Sequence, residues 1–392
     1  MEEAVNRESP SAVIERIDRQ LREMWTVAAP DEVPKSRACT MNLVVVAGST
    51  EMAEKYTAIV DEVTRSIPAR ALIVALDRSS QPDALEGEAS AVCGVGGAAS
   101  ICSERVSLVA RGSVCARIAS AVEALCVPEM PTTLVWLDRV YSEDPVFISL
   151  AKDVQRVVLD SGFAPFETLL DLARWARGGE PTTARVAWRN RPHIADLAWT
   201  RLAVWQEMCA RFFDAPNLRS HALQITKLTL CQSTHAGERL GSEGALLLGW
   251  LATRLGWQRT RDSGELRFVR ADGRDVAVHF AVVPVRGGGA SGELASVVIE
   301  AEVDGIAITG TVERSPARED EADASPPSRP RDTDVLTWRL DAPLPGASEQ
   351  RVRLRANRGA RLLERTLHRP PADPALAEAV AFAEAFSEIR CR

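Results

Sequence analysis

The chain has 392 residues, which is long for a single hydrophobic core, so two domains are expected. Hydrophobic residues make up 46% of the sequence and charged residues 26%, which is ordinary for a globular protein. Its 47 basic and 54 acidic residues give a net charge of −7, which argues against the basic footprint of a nucleic-acid-binding protein.

The first half of the sequence alternates between amphipathic stretches and short apolar runs. Residues 11–25 place Ile14, Ile17, Leu21 and Met24 at steps of three and four, which predicts an amphipathic helix. A strand, a helix and a second strand are predicted next, at 41–47, 51–67 and 71–76. This β-α-β order predicts that the two strands are parallel neighbours.

A glycine-rich turn at 94–97 separates two strand-like segments, 90–93 and 101–110, and this pattern predicts a hairpin. A helix, two strands and another helix are predicted after it, at 114–125, 132–137, 156–159 and 166–177. We therefore expect residues 1–190 to form a Rossmann-like α/β domain that begins with the amphipathic helix.

The pattern changes past Pro181. Asp196 can cap a helix with a buried apolar stripe, and an apolar helix is predicted at 243–255. The remaining predicted elements are a strand at 221–230, four strands between 265 and 312, strands at 335–340 and 350–354, and helices at 361–367 and 374–389. The stretch 315–334 is rich in proline, serine and charge, which predicts a solvated, mobile loop. We expect residues 191–392 to form an α+β domain with a largely antiparallel sheet.

Sequence motifs for catalysis, metal binding and phosphate binding are absent. The first β-α turn, Ala47-Gly48-Ser49-Thr50, has a single glycine, so a Rossmann-like domain without a phosphate loop is expected. None of the eight cysteines forms a C-x-x-C, and the five histidines form no zinc-like pair. We expect no catalysis, no cofactor and no metal. A stand-alone sugar-phosphate- or NADP-binding protein with a degenerate phosphate loop at Gly48-Ser49-Thr50 is the alternative.

Two further features of the sequence indicate where in the cell the protein is expected. The acidic N-terminal residues lack the positive charge that begins a signal peptide. Apolar runs also fall short of the roughly 20 residues that a membrane-spanning helix needs. We expect a cytoplasmic protein that has no membrane partner.

Two sets of residues are candidates for a specific role. Trp205 lies on the apolar stripe of its helix, whereas Trp199 and Arg201 flank it, and Trp and Arg are enriched at interface hot spots. These residues are therefore either core or contact surface. Cys93 and Cys102 flank the predicted hairpin turn, so they are either a disulfide or two buried thiols, and the cytoplasmic setting favours the thiols.

The stretch D-L-A-W-T-R-L from Asp196 to Leu202, followed by Trp205, resembles the signature of the glucose-6-phosphate dehydrogenase assembly protein family (OpcA). Further segments resemble the same family in the same order, at 41–47, 93–106, 131–136, 157–161, 247–257 and 362–364. Together they extend over nearly the whole chain.

The resemblance implies a non-catalytic partner that binds glucose-6-phosphate dehydrogenase, promotes its active oligomer and so supports the oxidative pentose phosphate pathway. Asp196, Trp199, Arg201 and Trp205 match the family motif and are the candidate partner-binding residues. Cys93 and Cys102 fall at matching positions and are candidates for redox control, which the resemblance links to photosynthetic members. The layout of an α/β half before an antiparallel half is also that of the dehydrogenase, so the chain is expected to dock as a pseudo-subunit.

Overall fold

The computed structural model describes thirteen segments of the chain. They are residues 8–25, 35–79, 82–94, 100–138, 144–162, 166–176, 191–233, 240–262, 265–284, 292–316, 334–342, 349–354 and 358–386. Most of the loop predicted at 315–334, namely 317–333, lies outside the described residues. Within them, no helix combines the length and the apolarity that crossing a membrane requires.

The helices of the described segments are α1 (Pro10–Glu23), α2 (Thr50–Thr64), α3 (Ile118–Leu125), α4 (Pro145–Ala151), α5 (Phe166–Ala176), α6 (Leu197–Arg211), α7 (Ser242–Arg254), α8 (Gly359–His368) and α9 (Pro374–Ala383). The strands up to residue 233 are β1 (Lys35–Arg37), β2 (Asn42–Ala47), β3 (Arg70–Asp77), β4 (Ala84–Gly94), β5 (Ser100–Arg111), β6 (Thr132–Trp136), β7 (Arg156–Leu159), β8 (His193–Asp196) and β9 (Ile225–Ser233). The later strands are β10 (Gln258–Asp262), β11 (Glu265–Val269), β12 (Asp275–Val283), β13 (Glu293–Val303), β14 (Ile306–Pro316), β15 (Asp334–Asp341) and β16 (Glu349–Arg353).

The chain divides into two compact units. The first unit comprises Met1–Asp160, Asp171–Asp196 and Gly359–Ala372, and the second comprises Ser161–Leu170, Leu197–Arg358 and Asp373–Arg392. The main division between Asp196 and Leu197 is close to the boundary predicted at 190/191. The prediction does not place Ser161–Leu170 in the second unit or Gly359–Ala372 in the first. The existence of two independent domains stays a prediction.

The sheet of the first unit is mainly parallel. Its strands follow the order β1-β5-β3-β2-β6-β7-β8, and β4 pairs with β5 outside this order. Every pair along that order is parallel, whereas β4 and β5 form an antiparallel hairpin. With β1 and β4 set aside, the parallel strands lie in the order 3-2-1-4-5-6, which is that of doubly wound dinucleotide-binding sheets. All residues of β2 and β7 are buried, as a sheet covered on both faces requires.

Helix α1 covers the hairpin with the apolar face that its sequence predicts. Ile17 and Leu21 are buried on that face. A Cβ atom added at Gly87 of β4 would meet side-chain atoms of Ile17 and Leu108 within 2.9 Å, so a glycine is required there. Polar side chains of α1 also satisfy the backbone of this edge strand: Arg16 donates to the Gly87 carbonyl, and Gln20 accepts from the Ala89 N–H.

The sheet of the second unit has the order β10-β11-β12-β9-β13-β14-β15-β16. Only β12 and β9 are parallel, and the other neighbouring pairs are antiparallel. Helix α6 packs on one face of this sheet, where the ring of Phe212, just past its end, occupies the space that a side chain at Gly310 would need. The largely antiparallel sheet expected for the second half is therefore present.

Some elements differ from the sequence-based expectation. The strand predicted at 221–230 begins only at Ile225, because Arg219–Gln224 forms a 3-10 helix. The last helix ends at Ala383 rather than at residue 389, and Glu384–Phe386 continues it as a 3-10 turn. Strands β8 and β10 and helix α4 were not predicted, because four to seven residues carry too short a hydrophobic pattern to be recognised.

Candidate functional site

The four motif residues are buried. Asp196 is the last residue of β8 in the first unit, and α6 begins directly after it. Trp199, Arg201 and Trp205 lie on α6 in the second unit, and none of them is more than 9% exposed. Trp205 is on the buried stripe as predicted, but Trp199 and Arg201 are also buried, although the sequence places them beside it.

Trp199 is buried because its indole N–H has a charged partner. The Trp199 Nε1 donates to Oδ2 of Asp373 over 2.8 Å. The other carboxylate oxygen of Asp373 accepts from the backbone N–H of Leu376, so the same side chain caps α9, where Pro374 occupies the first helical position. This one carboxylate therefore connects the motif helix to the start of α9.

Arg201 is buried against an acidic partner from another helix. Its Nε donates to Oε1 of Glu243 over 2.9 Å, and only 2% of the Glu243 side chain is exposed. The second oxygen of Glu243 accepts from the backbone N–H of Leu294 on β13 over 3.0 Å. Both carboxylate oxygens thus have donors, which a buried charge needs if it is not to be strongly destabilising.

The ion pair continues into a network of charges. Arg314 lies 3.9 Å from Glu243 and 2.7 Å from Glu293, and Arg358 lies 3.5 Å from the other oxygen of Glu293. The Arg314 guanidinium also lies over the ring of Trp205, 5.7 Å from its centroid. Burial raises the pKa of Glu293, and the neighbouring Arg314 opposes that rise.

We name Arg201, Glu243, Arg314, Glu293 and Arg358 the charge network. It connects α6 to α7, β13 and β14 within the second unit. Of its members, only Arg201 is indicated by the sequence pattern. The available signal was Glu243 itself, because a carboxylate on a helix that is apolar nearly all round is buried, and a buried charge favours a cation or several hydrogen-bond donors as partners.

The two candidate redox cysteines face each other across the hairpin. Cys93 of β4 and Cys102 of β5 are register partners, and the structure joins their sulfurs in a disulfide. The two buried thiols that the sequence favours are therefore not the state that the structure shows. Cys102 is fully buried, and Cys93 is half-buried.

The other cysteines of the described residues are reduced. Burial raises the pKa of Cys209 to about 12 and that of Cys126 to about 11. Because the thiolate is the reactive form of cysteine, these two thiols are poor nucleophiles at neutral pH.

A buried carboxylate lies two residues beyond the disulfide. Glu104 accepts a hydrogen bond from Trp25 Nε1 over 2.8 Å and pairs with Arg70 at 2.6 Å and with Arg37 at 3.0 Å. These contacts connect the residues just past α1 and strand β1 to the centre of the first sheet. The family-like segment 93–106 thus contains the disulfide that links the two strands of the hairpin and the carboxylate that pairs with Arg37 and Arg70.

The first β-α turn is occupied by the chain's own side chains. A Cβ atom at Gly48 would collide with the carboxylate of Asp138, which follows β6. Arg78, which follows β3, forms ion pairs with Asp138 and with Asp144, and Asp144 also caps α4. In a dinucleotide-binding sheet the pyrophosphate approaches the glycine of this turn. Here a carboxylate lies against that glycine, and it would repel a phosphate.

Among the residues that the structure describes, no group of three or more His, Cys, Asp or Glu side chains is arranged to hold a metal ion.

Two family models match the sequence. Residues 60–174 match the model described as the N-terminal domain of a glucose-6-phosphate dehydrogenase subunit. Residues 192–380 match the model described as the C-terminal domain of the same kind of subunit. The two matched segments follow each other in the expected order and include the hairpin, the motif helix and the charge network.

Three curated relatives are provisionally named OxPP cycle protein OpcA. The protein of Nostoc punctiforme is 30% identical over 240 residues, which cover 58% of this chain and 48% of the relative. That of Synechococcus elongatus is 28% identical over 220 residues, covering 51% and 44%, and that of Synechocystis sp. is 29% identical over 208 residues, covering 51% and 39%. The matched part is less than half the length of each relative.

Solved structures resemble the chain only distantly. A probable oxidoreductase has 9% sequence identity and a TM-score of 0.39, with 88% of this chain and 95% of that chain covered. A 3-ketoreductase from Actinomadura kijaniata in complex with NADP has 10% identity and a TM-score of 0.28, with 89% and 92% covered. The family assignment rests on the sequence matches, which agree with one another and with the D-L-A-W-T-R-L motif: the chain belongs to the glucose-6-phosphate dehydrogenase assembly protein (OpcA) family.

Proposed function

We propose that this chain is a non-catalytic assembly factor and allosteric activator that binds glucose-6-phosphate dehydrogenase and promotes its active oligomer in the cytoplasm. Both matching family models are described as domains of a glucose-6-phosphate dehydrogenase subunit. The relatives are named for the oxidative pentose phosphate cycle. The proposal requires the dehydrogenase as partner and no nucleic acid, membrane, metal or cofactor.

The first β-α turn is the single structural observation that supports a non-catalytic role. The strand order would place a nucleotide at the carboxyl ends of β2 and β6, where the order reverses. The Asp138 carboxylate, held by Arg78, lies at that place. A sheet of this order with an acidic group in the phosphate position is better suited to a binding role than to chemistry on a nucleotide.

The motif residues are proposed to act on the partner by positioning rather than by direct contact. Trp199, Arg201 and Trp205 are buried within this chain, so few of their atoms are available to a second protein. Their partners fix α7, α9, β13 and β14 relative to α6. We propose that this arrangement holds the surface of the second unit in the shape that the dehydrogenase binds.

Activity and assembly together test the proposal. Dehydrogenase from the same organism is assayed with and without this chain, and the mixture is analysed by size-exclusion chromatography. Co-elution with raised activity is expected. Neither co-elution nor a change of activity, in oxidising and in reducing buffer, would contradict the proposed function.

The motif is tested in the same assay with Arg201→Ala and with Arg211→Ala as its matched control. Arg211 lies on the same helix but is only half-buried, and it pairs with Glu207 and donates to Gln350. Arg201→Ala is expected to weaken association, because losing the pair with Glu243 disturbs the arrangement of the second unit, and Arg211→Ala to leave association unchanged. Equal effects of the two changes would remove the motif from the proposal.

The alternative, a stand-alone sugar-phosphate- or NADP-binding protein, has a separate test. A ligand at 100 times its dissociation constant stabilises a protein by about 2.7 kcal/mol, which thermal unfolding detects readily. Because Asp138 occupies the turn at Gly48, we expect no shift with NADP or with glucose 6-phosphate. A saturable shift with either compound would favour the alternative.

The pseudo-subunit hypothesis remains part of the proposal. A different strand order in the first half would have argued against it, and the observed order is the dinucleotide-binding one. Such a similarity of architecture is an analogy and not by itself a reason for docking. The pseudo-subunit hypothesis predicts that this chain and the dehydrogenase's own protomers compete for one surface.

A further inference from the structure

One strand of the second sheet has an unpaired edge. Strand β12 pairs with β9 from Ala277 to Val283 on one side. On its other side β11 pairs only with Asp275 and Val276. Within the described segments, no strand pairs with this outer edge of β12 from Ala277 to Val283. We name these seven residues the open edge.

The open edge is apolar and uncharged. Its sequence is A-V-H-F-A-V-V, without lysine, aspartate, glutamate, arginine or proline. Ala277 and His279 are exposed, and Val278, Phe280 and Val282 are half-buried. On the neighbouring strand β9, Leu228 and Leu230 are fully buried. The open edge thus has the composition of a strand inside a sheet and the exposure of a strand at its border.

The other edge strands considered within the described residues are protected in the ways that natural proteins use. Exposed edges usually carry charge, or are short, or are covered, because unpaired backbone groups invite pairing with another chain. Strand β16 has Glu349, Arg351 and Arg353 among five residues, and β10 is similarly charged. Strand β4 is covered by α1, and β8 has only four residues. Among the described residues, the open edge has none of these protections.

The open edge is complementary to itself. If two copies align antiparallel about Phe280, the cross-strand pairs are Phe280 with Phe280, Val278 with Val282, and His279 with Ala281 of the second copy. Valine and phenylalanine would then form one row on one face of the sheet, and such apolar pairs stabilise neighbouring strands. No like charges meet there, although each copy carries a net charge of −7.

The length of the open edge also fits a second copy. Residues 277–283 of one chain would face 283–277 of the other, and the short pairing with β11 lies just beyond this stretch in each chain. The pairing with β11 therefore uses none of the residues of the open edge. The contact would be isologous, as in most symmetric dimers.

We propose that the open edge of β12 pairs antiparallel with the same edge of a second copy, so that the two second-unit sheets form one continuous sheet. The assignment is independent of the proposed function, because it concerns the chain alone. It requires that the full chain be dimeric in the absence of any dehydrogenase.

Sedimentation of the full chain tests the pairing. A concentration-dependent monomer–dimer equilibrium is expected for the unmodified chain. Ala281→Lys is expected to weaken the dimer on the order of tenfold, because a lysine at an edge opposes pairing and two such lysines face His279 across the symmetric contact. Ala307→Lys, at an exposed position on β14, is the matched control and should leave the equilibrium unchanged.

The register has its own test. Adding His279→Glu to Ala281→Lys should restore dimerisation, because in the proposed alignment each new carboxylate faces the new ammonium group of the other copy. Circular dichroism establishes that each variant is folded.

Three results would overturn the proposal: a monomer at every concentration, a dimer unaffected by Ala281→Lys, or no rescue by the double change. A monomer whose binding to the dehydrogenase is abolished by Ala281→Lys would assign the open edge to that enzyme instead. Failure of the dehydrogenase assay with an intact dimer would contradict the proposed function alone.

Discussion

At the scale of single residues, the family motif consists of buried polar and aromatic groups with specific partners. Arg201 pairs with Glu243, and Trp199 donates to Asp373. The same principle applies in the first unit, where the buried guanidinium of Arg156 donates to the carbonyls of Thr366, Leu367 and Arg369 at the end of α8. A cation at a helix C-terminus interacts favourably with the helix dipole. Buried cations thus hold distant parts of the sequence together.

Removing one member of the buried ion pair should be more damaging than removing both charges. Arg201→Ala leaves the buried Glu243 carboxylate with only the more distant Arg314, 3.9 Å away, and breaking a buried pair costs about 3–5 kcal/mol. Adding Glu243→Gln should recover part of that loss, because an amide keeps an acceptor for the Leu294 N–H and carries no charge. Denaturant unfolding followed by tryptophan fluorescence measures the free energies.

Arg211→Ala serves as the control for this pair of variants. Its exposed pair with Glu207 is expected to contribute no more than about 1 kcal/mol. If the double variant is as unstable as Arg201→Ala alone, the uncompensated charge is not the cause of the destabilisation.

The sequence predicts some of these residues' roles but not their partners. Trp205 could be placed in the core, because helical periodicity shows which positions share a face. Arg201 could not, since its burial depends on Glu243, which lies on a different helix 42 residues away. Pairing over such distances is a property of the folded chain. A lone arginine beside an apolar stripe therefore fits the core and the surface equally well.

At the scale of elements, the hairpin of β4 and β5 is the part of the fold that sequence analysis predicted in most detail. The glycine-rich turn and the two cysteines indicated both the antiparallel pairing and the facing positions of Cys93 and Cys102. The length of β4 was underestimated, because its first residues contain Glu86, Gly87 and Glu88, which are not typical of a strand. Packing of α1 on the hairpin overrides that local preference.

Reduction of the disulfide should destabilise the hairpin. A crosslink that closes a loop of about ten residues contributes about 2–3 kcal/mol in the chain-entropy account. The unmodified chain should therefore unfold at a lower temperature in reducing than in oxidising buffer, and a double variant, Cys93→Ala with Cys102→Ala, should show no such difference.

Cys209→Ala provides the control, since that thiol is buried and reduced. Redox control of the dehydrogenase through this hairpin would additionally require that activation differ between the two buffers for the unmodified chain and not for the double variant. Equal unfolding temperatures of the unmodified chain in both buffers would mean that the two cysteines remain thiols.

At the scale of the whole molecule, segments that are far apart in the sequence belong to the same compact unit. Residues Gly359–Ala372 belong to the first unit, although most of the second unit precedes them in the chain. The sequence pattern predicts the helix at 361–367 but does not assign it to a sheet, because an amphipathic face indicates burial and not the element that covers it. The partner is seen in the structure, where Arg156 on β7 of the first sheet donates to the carbonyls at the end of that helix.

An activator and the substrate of its enzyme must affect each other equally if activation occurs through binding. An activator shifts the dehydrogenase toward its active form only as far as it binds that form better. Thermodynamic linkage then requires glucose 6-phosphate to tighten the binding of this chain by the same factor as the chain tightens the binding of glucose 6-phosphate. Couplings of this kind are typically about 5–150-fold.

Titration of the dehydrogenase with this chain, with and without saturating glucose 6-phosphate, measures one factor, and titration with the sugar phosphate measures the other. Equal factors above one are expected for the unmodified chain. Arg201→Ala should weaken association through the altered second unit, whereas Arg211→Ala should preserve both the affinity and the coupling. If the chain binds with the same affinity in the presence and absence of substrate yet the oligomer still forms, the role is assembly by mass action, and the allosteric part of the proposal fails.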